Sequence, residues 1–151
     1  MKKYFTDLIF FCLLSAILNA QKKPNVIIIY TDDQATLDVN ILGAKDLVSP
    51  NMDKLMLSGT TFTQFYASPV CSPSRASLLT GKNPQRAGVP GNAGQDLSRT
   101  SGLPPSEFTM DEMFKENGYA TYLIGKWHLG YQPEMRPNKQ GFDYSFGHLV
   151  G

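Results

Sequence analysis

An unbroken apolar run from Val26 to Tyr30 constrains the fold of this chain more than any other sequence feature. Most of its residues are β-branched, and the polar residues Thr31, Asp32 and Asp33 end it. A strand that is apolar at every position, with no polar alternation, is typical of a parallel strand covered on both faces. The run therefore predicts a buried strand in a fold that mixes helices with a parallel sheet.

Two short helices are predicted from the same local signal. Serine followed by proline occurs at 49–50 and again at 72–73, and Gly59 and Gly81 close the two segments. Serine is a favoured N-cap residue, proline suits the first helical position, and glycine ends helices. We therefore expect each helix to begin at its proline and to stop before its glycine.

A third helix and two further strands complete the predicted elements. Thr109 and Glu112 form a capping-box pattern, and Gly118 is the expected terminator of the helix. The segments Thr60 to Tyr66 and Tyr119 to Ile124 are rich in threonine, aromatic and β-branched residues, which favour strands. The order strand, helix, strand, helix, helix, strand predicts an α/β fold with a mostly parallel sheet flanked by helices, whose ligands gather beyond the carboxyl ends of the strands.

The remaining segments divide into expected core and expected surface. Residues Lys82 to Ser106 are rich in Gly, Pro, Asn and Ser, so they predict a long surface loop that shapes a site rather than forming core. Four methionines stand at helical spacing and are expected in the core: Met52, Met56, Met110 and Met113.

The first 20 residues are expected to be a removable signal peptide. Lys2 and Lys3 precede the apolar stretch Leu8 to Leu18, and the small residue Ala20 is a plausible cleavage point. The apolar stretch is shorter than the roughly 18 residues that a membrane span needs. We therefore expect a secreted or periplasmic protein with no stable membrane span.

Residues 21–151 are expected to form part of a single domain. Hydrophobic residues make up 42% of the chain and charged residues 18%, which suits a packed core and excludes a disordered chain. The net charge of +1 gives no attraction to nucleic acid or to acidic membranes. Because Cys12 lies in the signal segment, Cys71 is the one cysteine expected in the mature chain, and no internal disulfide is expected.

Two adjacent carboxylates, Asp32 and Asp33, follow the first predicted strand. At about 4 Å such charges repel by roughly 4 kcal/mol at an effective dielectric constant of about 20, and a bound cation relieves that repulsion. Oxygen ligands suit calcium or magnesium, whereas zinc prefers clusters of histidine and cysteine. The alternative for such a pair is a solvated turn after a strand.

Cys71 stands beside the predicted start of the second helix, where backbone amides and the helix dipole favour an anion or a reactive thiolate. Arg75 lies about one helical turn later and could brace the anion. Lys126 and His128 would present a fixed cation and a proton carrier to one ligand. The alternative for Cys71 is a buried structural cysteine, and the alternative for the three basic residues is an ordinary solvated side chain. Trp127, which lies between Lys126 and His128, is expected to pack against the sheet.

Three ordered motifs resemble those of one enzyme family. Residues Cys71 to Gly81, C-S-P-S-R-A-S-L-L-T-G, resemble the formylglycine signature of type I sulfatases. Residues Gly118 to His128 resemble a second signature of that family, and Pro24 to Ile29, before the aspartate pair, resembles a third. Gly141 to Asp143 also looks familial. The resemblance implies the alkaline-phosphatase-like sulfatase fold.

The resemblance implies a modified residue and a metal. A separate maturation enzyme, which recognises a motif that includes Pro73 and Ser74, would oxidise Cys71 to formylglycine. The hydrated aldehyde would then supply the nucleophilic oxygen. Asp32 and Asp33 would hold a divalent cation, usually calcium with magnesium possible, that also binds the formylglycine at position 71.

The resemblance also assigns roles to three basic residues. Arg75 and Lys126 would stabilise the hydrate and the charge of the sulfate, and His128 would help the second hydroxyl of the hydrate lose a proton. Cations are needed because an anionic nucleophile approaches an anionic sulfate ester. Deprotonation of the second hydroxyl then expels sulfate and regenerates the aldehyde, an exit that a serine sulfate lacks.

The expected activity is hydrolysis of sulfate esters of aryl compounds or carbohydrates. The alternatives are a phosphonate or phosphodiester hydrolase of the same superfamily, and a non-catalytic protein that binds sulfated ligands. The family's catalytic domain continues well past the position that corresponds to Gly151, and further metal and catalytic residues come from that region. We therefore expect the chain to be the N-terminal portion of a sulfatase catalytic domain.

Overall fold

The computed structural model describes residues 22–94 and 101–151. They belong to two compact units, Met1–Ala35 and Thr36–Gly151. The expected signal peptide, residues 1–20, lies outside the described residues. Within the described ranges, no helix has both the length and the apolar character required to cross a lipid bilayer.

The second unit combines helices with a small parallel sheet. Its α-helices are α1 (Pro50–Ser58), α2 (Cys71–Thr80) and α3 (Met110–Glu116), and its strands are β1 (Tyr122–Lys126) and β2 (Tyr144–His148). Single turns of 3-10 helix occupy Thr36–Asp38, Asn40–Leu42, Pro133–Met135 and Pro137–Lys139. The strands pair in parallel, with Tyr122 opposite Tyr144 and Lys126 opposite His148. A parallel pair beside helices agrees with the predicted α/β class.

The core lies against α2 and the segment that follows β1. Its buried cluster includes Ala76 of α2, Leu103, Trp127, Leu129 and Phe142. The indole of Trp127 is 2% exposed, donates a hydrogen bond to the Met135 carbonyl at 3.0 Å, and meets the Phe142 ring edge to face. This confirms that Trp127 is a core residue, and it anchors the chain directly between Lys126 and His128.

The capping and terminating residues in the sequence predicted the positions of α1 and α3 correctly. Helix α1 follows Ser49 and ends before Gly59, as predicted, although the Ser49 hydroxyl bonds to Asn40 and Asp53 instead of capping the helix. Helix α3 carries the predicted capping box, in which Thr109 and Glu112 each bond to the other's backbone amide. It ends at Glu116, and Gly118 follows with a φ of 75°.

The predicted start of α2 is wrong by two residues. The helix begins at Cys71, its N-cap is Val70, and Pro73 occupies the third helical position. Proline is tolerated there because the first amides of a helix have no partner within the helix. The hydroxyl of Ser72 makes no cap because it bonds to a distant segment. Gly81 ends the helix in the left-handed region, as predicted.

Two predicted strands are absent from the described residues. The segments Val26 to Tyr30 and Thr60 to Tyr66 form no strand, and their apolar side chains are exposed, Ile27 by 84% and Tyr66 by 86%. A buried parallel strand needs neighbouring strands and a layer on each face. Among the described residues the assigned strands are β1 and β2, which pair with each other. Strand β1 also begins three residues later than predicted and includes Gly125 and Lys126.

The division between core and surface needs two corrections. Ala87, Val89 and Leu103 of the predicted surface loop are buried, because this segment packs against α2 and Trp127. Met52 and Met113 are 37% and 43% exposed, so the prediction of core positions is wrong for both. Neither residue belongs to the buried cluster.

Asp111, in the first turn of α3, is a buried carboxyl group. It is 7% exposed, and its Oδ2 has no hydrogen-bond partner among the described residues. Burial raises the pKa of Asp111 from 3.8 to about 6, because the charged form loses hydration. The folded state therefore holds this proton more tightly than the unfolded chain does.

This shift predicts a pH-dependent stability. Below about pH 4 both states are protonated, whereas above about pH 6 the folded state carries a buried charge, so stability falls across that interval. Asp111→Asn should remove this loss and be more stable than the wild type at pH 7 by on the order of 2 kcal/mol. Urea unfolding of both proteins between pH 4 and pH 7 measures the difference.

Asp143 serves as a control because its pKa is shifted in the opposite direction from that of Asp111. The Lys115 ammonium and the Thr121 amide hold the pKa of Asp143 below its usual value, so its contribution is present at neutral pH and is lost on acidification. Asp143→Asn should therefore lower stability at neutral pH. A stability gain in Asp111→Asn that does not change with pH would contradict the interpretation.

Candidate functional site

Three polar links join the start of α2 to the end of β1. Lys126 Nζ lies 3.2 Å from Cys71 Sγ, and Arg75 Nη1 donates to the Lys126 carbonyl at 2.7 Å. Ser72 Oγ donates to the His128 carbonyl at 2.5 Å. We call this region, residues 71–75 together with 126–128, the α2–β1 junction.

Glycines at the end of the sheet let the two strands approach closely. Gly125 has a φ of 118° and pairs with Gly147, whose φ is 146°. A Cβ atom on Gly147 would overlap the backbone of Gly125. The two strands can therefore close together immediately before Lys126, which ends β1 opposite α2.

His128 has a strained backbone. Its φ is 54°, in the left-handed region that non-glycine residues rarely adopt. Its amide donates to the Leu149 carbonyl at 3.2 Å, and its own carbonyl accepts from Ser72. The residue is 5% exposed. Such strain is of order 1–3 kcal/mol and persists where surrounding contacts impose it, often at functional sites.

Cys71 combines a helix start with a neighbouring cation. It is the first residue of α2 and is partly buried. The helix N-terminus carries positive partial charge, and the Lys126 ammonium adds a full charge beside the sulfur. This arrangement suits an anionic group at position 71 or an anionic ligand beside it.

The two aspartates belong to the first unit. Asp32 and Asp33 are both exposed, and Asp33 has a φ of 53°, which aspartate tolerates better than most residues do. Carboxylate oxygens are the donors that calcium and magnesium prefer, so the side chains present fit a hard divalent cation.

The junction contains Cys71, Arg75, Lys126 and His128, the four residues predicted to be catalytic. Their chemical roles stay predictions, as does metal binding at Asp32, Asp33 and position 71. No sequence signal indicates the links through Ser72, because a local pattern does not show a hydrogen bond to a distant segment. His148, at the end of β2, is exposed, and its Nδ1 lies 2.8 Å from the Val150 carbonyl oxygen.

The family model and the curated relatives that match this chain belong to the same family. The Sulfatase family model matches residues 24–150. N-acetylgalactosamine-6-sulfatase of Canis lupus familiaris is 40% identical over 135 residues, which cover 85% of this chain and 26% of that protein. Arylsulfatase G of Mus musculus is 43% identical over 126 residues, which cover 83% of this chain and 24% of that protein. The chain thus spans about a quarter of the length of these curated relatives.

Solved structures share the fold. The crystal structure of Ps i-CgsB matches with a TM-score of 0.81 and 41% identity, over 86% of this chain and 29% of that one. A structure described with the metabolism of multiple glycosaminoglycans by Bacteroides thetaiotaomicron matches with a TM-score of 0.72 and 36% identity, over 86% of this chain and 29% of that one. The small parallel sheet and its helices therefore form part of an established α/β architecture.

The bond from Arg75 to the Lys126 carbonyl predicts a measurable contribution to stability. Arg75→Met removes a charged donor from a partly buried carbonyl, so we expect a loss of about 1–3 kcal/mol in the free energy of unfolding. Arg86→Met changes an exposed arginine and should be nearly neutral. Urea midpoints of the two variants test this. Equal midpoints for Arg75→Met and Arg86→Met would show that the hydrogen bond does not stabilise the fold.

Proposed function

This chain belongs to the sulfatase family, and on that premise we propose that its protein hydrolyses sulfate esters through a formylglycine formed at Cys71. The observation that carries the proposal is the 3.2 Å contact between the Lys126 ammonium and the Cys71 sulfur at the start of α2. A cation fixed at that position stands where the oxygens of a modified residue 71 and of a bound sulfate would need one.

The modification would supply a nucleophile that cysteine itself does not provide. A maturation enzyme would convert Cys71 to an aldehyde, and its hydrate would offer one hydroxyl for attack and a second for release of sulfate. The remaining work falls to the side chains of the junction. Each must lower the repulsion between two anions or move a proton.

Lys126 and Arg75 would share the first task. The Lys126 ammonium would donate to an oxygen at position 71, as it now donates to sulfur. Arg75 holds the Lys126 backbone through its 2.7 Å bond and carries a permanent positive charge about one helical turn after Cys71. Two fixed cations on different elements would lower the repulsion without a large rearrangement during the reaction.

His128 would handle the proton. An imidazole titrates near neutral pH, so it can take a proton from a hydroxyl at position 71 and return it to solvent. The buried, strained backbone of His128 restricts where the imidazole can lie. A restricted base keeps the proton-transfer geometry constant from one turnover to the next.

Asp32 and Asp33 would hold a divalent cation, calcium or magnesium. Their oxygen donors suit these ions, and a bound cation would supply positive charge to the oxygens at position 71 and to the sulfate. The same cation would remove the repulsion between the two neighbouring carboxylates.

We propose sulfated aryl compounds or sulfated carbohydrates as substrates. Relatives are named N-acetylgalactosamine-6-sulfatase and arylsulfatase G, and Ps i-CgsB has been solved in complex with k-i-k-neocarrahexaose. The loop predicted at residues 82–106 would contribute side chains that contact the group bearing the sulfate. Export through the N-terminal signal would take the enzyme to such substrates outside the cytoplasm.

Paired substrates and a single variant test the function. The protein at its full encoded length should hydrolyse an aryl sulfate faster than the matching aryl phosphate, and Cys71→Ala should lower kcat by at least about a thousandfold. Mass spectrometry of the peptide around position 71 should show an aldehyde in the active enzyme.

Other outcomes of that test would select the alternatives. Faster hydrolysis of the phosphate ester would indicate a phosphodiester or phosphonate hydrolase. Binding of a sulfated sugar with no turnover would indicate a binding protein. Full activity with an intact thiol would exclude the formylglycine mechanism.

Metal removal tests the two aspartates. Treatment with a chelator should abolish sulfate release, and calcium or magnesium should restore it. Asp32→Asn should raise the calcium concentration needed for half-maximal activity by at least about tenfold, because one anionic ligand is lost. Asp46→Asn, which changes an exposed carboxylate in the other unit, is the matched control. An unchanged calcium requirement in Asp32→Asn would remove this residue from the metal site.

A further inference from the structure

We infer that Ser72 and Asn92 are positioning residues that hold the nucleophile at position 71 and His128 in one fixed arrangement. The inference rests on the proposed function, because it concerns the same site. Neither residue is expected to touch the substrate. Both would act through hydrogen bonds to backbone groups beside the reacting side chains.

Ser72 links three segments through one hydroxyl group. The residue is fully buried in the first turn of α2. Its Oγ donates to the His128 carbonyl at 2.5 Å and accepts from the Ala93 amide at 3.0 Å. A hydroxyl has a single proton to donate, so the bond to His128 uses its whole donor capacity. A methyl group in its place would leave a buried carbonyl and a buried amide without this partner.

Asn92 takes the place of a local helix cap. The N-cap residue of α2, Val70, has no side chain that can accept a hydrogen bond. Asn92 Oδ1 instead accepts from the Ser72 amide at 3.1 Å, across 20 residues of chain. The first amides of a helix need such partners, and a side-chain oxygen satisfies one of them. The backbone amide and the hydroxyl of Ser72 thus both form hydrogen bonds with the loop at 92–93.

These bonds reach the site from two directions. The Ser72 amide belongs to the peptide group that follows Cys71, so its bond to Asn92 fixes the backbone on one side of the nucleophile. The Ser72 hydroxyl fixes the carbonyl of His128, whose φ of 54° is unfavourable unless contacts hold it. Without the hydroxyl the backbone at His128 can relax toward a favourable φ and carry the imidazole away from position 71.

A displacement of this kind should slow the chemical step more than it weakens binding. Proton transfer requires correct placement of His128 to within a fraction of an ångström, whereas sulfate attraction by Lys126 and Arg75 depends weakly on small shifts. Loss of positioning therefore predicts a lower kcat with a nearly unchanged KM.

The test compares serine-to-alanine changes within one helix. Ser72→Ala and the control Ser77→Ala are made in the protein at its full encoded length. The aldehyde content at position 71 is measured by mass spectrometry, and kcat and KM for an aryl sulfate are expressed per aldehyde-bearing molecule. Ser72→Ala should lower kcat by about tenfold or more with KM within about threefold of the wild-type value, whereas Ser77→Ala should match the wild type.

Asn92→Ala provides a second variant that does not disturb a buried position. Asn92 is exposed, so its truncation should leave folding intact and decide the question if Ser72→Ala fails to fold. We expect a decrease of kcat by about threefold to tenfold, again with little change in KM.

The outcomes separate the inference from the function on which it rests. A wild-type protein with neither aldehyde nor sulfatase activity would overturn the proposed function itself. An active wild type whose Asn92→Ala and Ser72→Ala variants match Ser77→Ala would overturn the positioning roles alone. A loss in the variants that disappears after correction for aldehyde content would also overturn them, because it would place the effect in maturation.

Discussion

The packing of α2 against the end of β1 is the contact on which the candidate site depends. Trp127 is buried in the core beside Ala76, whose small side chain permits close approach of the helix. Because Trp127 is fixed, the residues on either side of it, Lys126 and His128, are held near the first turn of α2. Apolar burial thus brings the elements together, and the polar links at 2.5 to 3.2 Å then set the exact pairing of side chains.

Backbone positions in and beside the junction lower the stability of the fold where the candidate catalytic residues lie. His128 has a left-handed backbone, and Gly125 and Gly147 occupy strand positions, where glycine loses more backbone freedom on folding than other residues do. A left-handed non-glycine residue destabilises a fold by on the order of 1–3 kcal/mol, and a glycine inside a strand does so by roughly 0.5–1 kcal/mol. The core cluster around Trp127 supplies the compensation, since burial of one large side chain contributes about 1.5–3 kcal/mol.

Sequence reasoning was accurate where structure is determined locally. The capping box of Thr109 and Glu112 and the glycine stop at Gly81 depend on residues within a few positions of one another, and both are present. The segments Val26 to Tyr30 and Thr60 to Tyr66 were expected to be strands, yet strand formation depends on a partner elsewhere in the chain. The strand propensity of a segment indicates which residues fit a strand. It does not show whether another strand lies beside that segment.

The same limit explains which parts of the site could be foreseen. The links of the junction join residues 51 to 56 positions apart, and closing loops of that length has an entropic cost that other contacts of the fold must offset. The pattern C-S-P-S-R and its companion ending at His128 named candidate catalytic residues that lie together in the structure, because a family motif carries that long-range information implicitly. Nothing marked Ser72 or Asn92 in this way. Ser72 has the ordinary sequence pattern of an N-cap, and Asn92 lies in a segment typical of loops. The structure alone shows that the hydroxyl and backbone amide of Ser72 connect α2, the loop at 92–93 and His128.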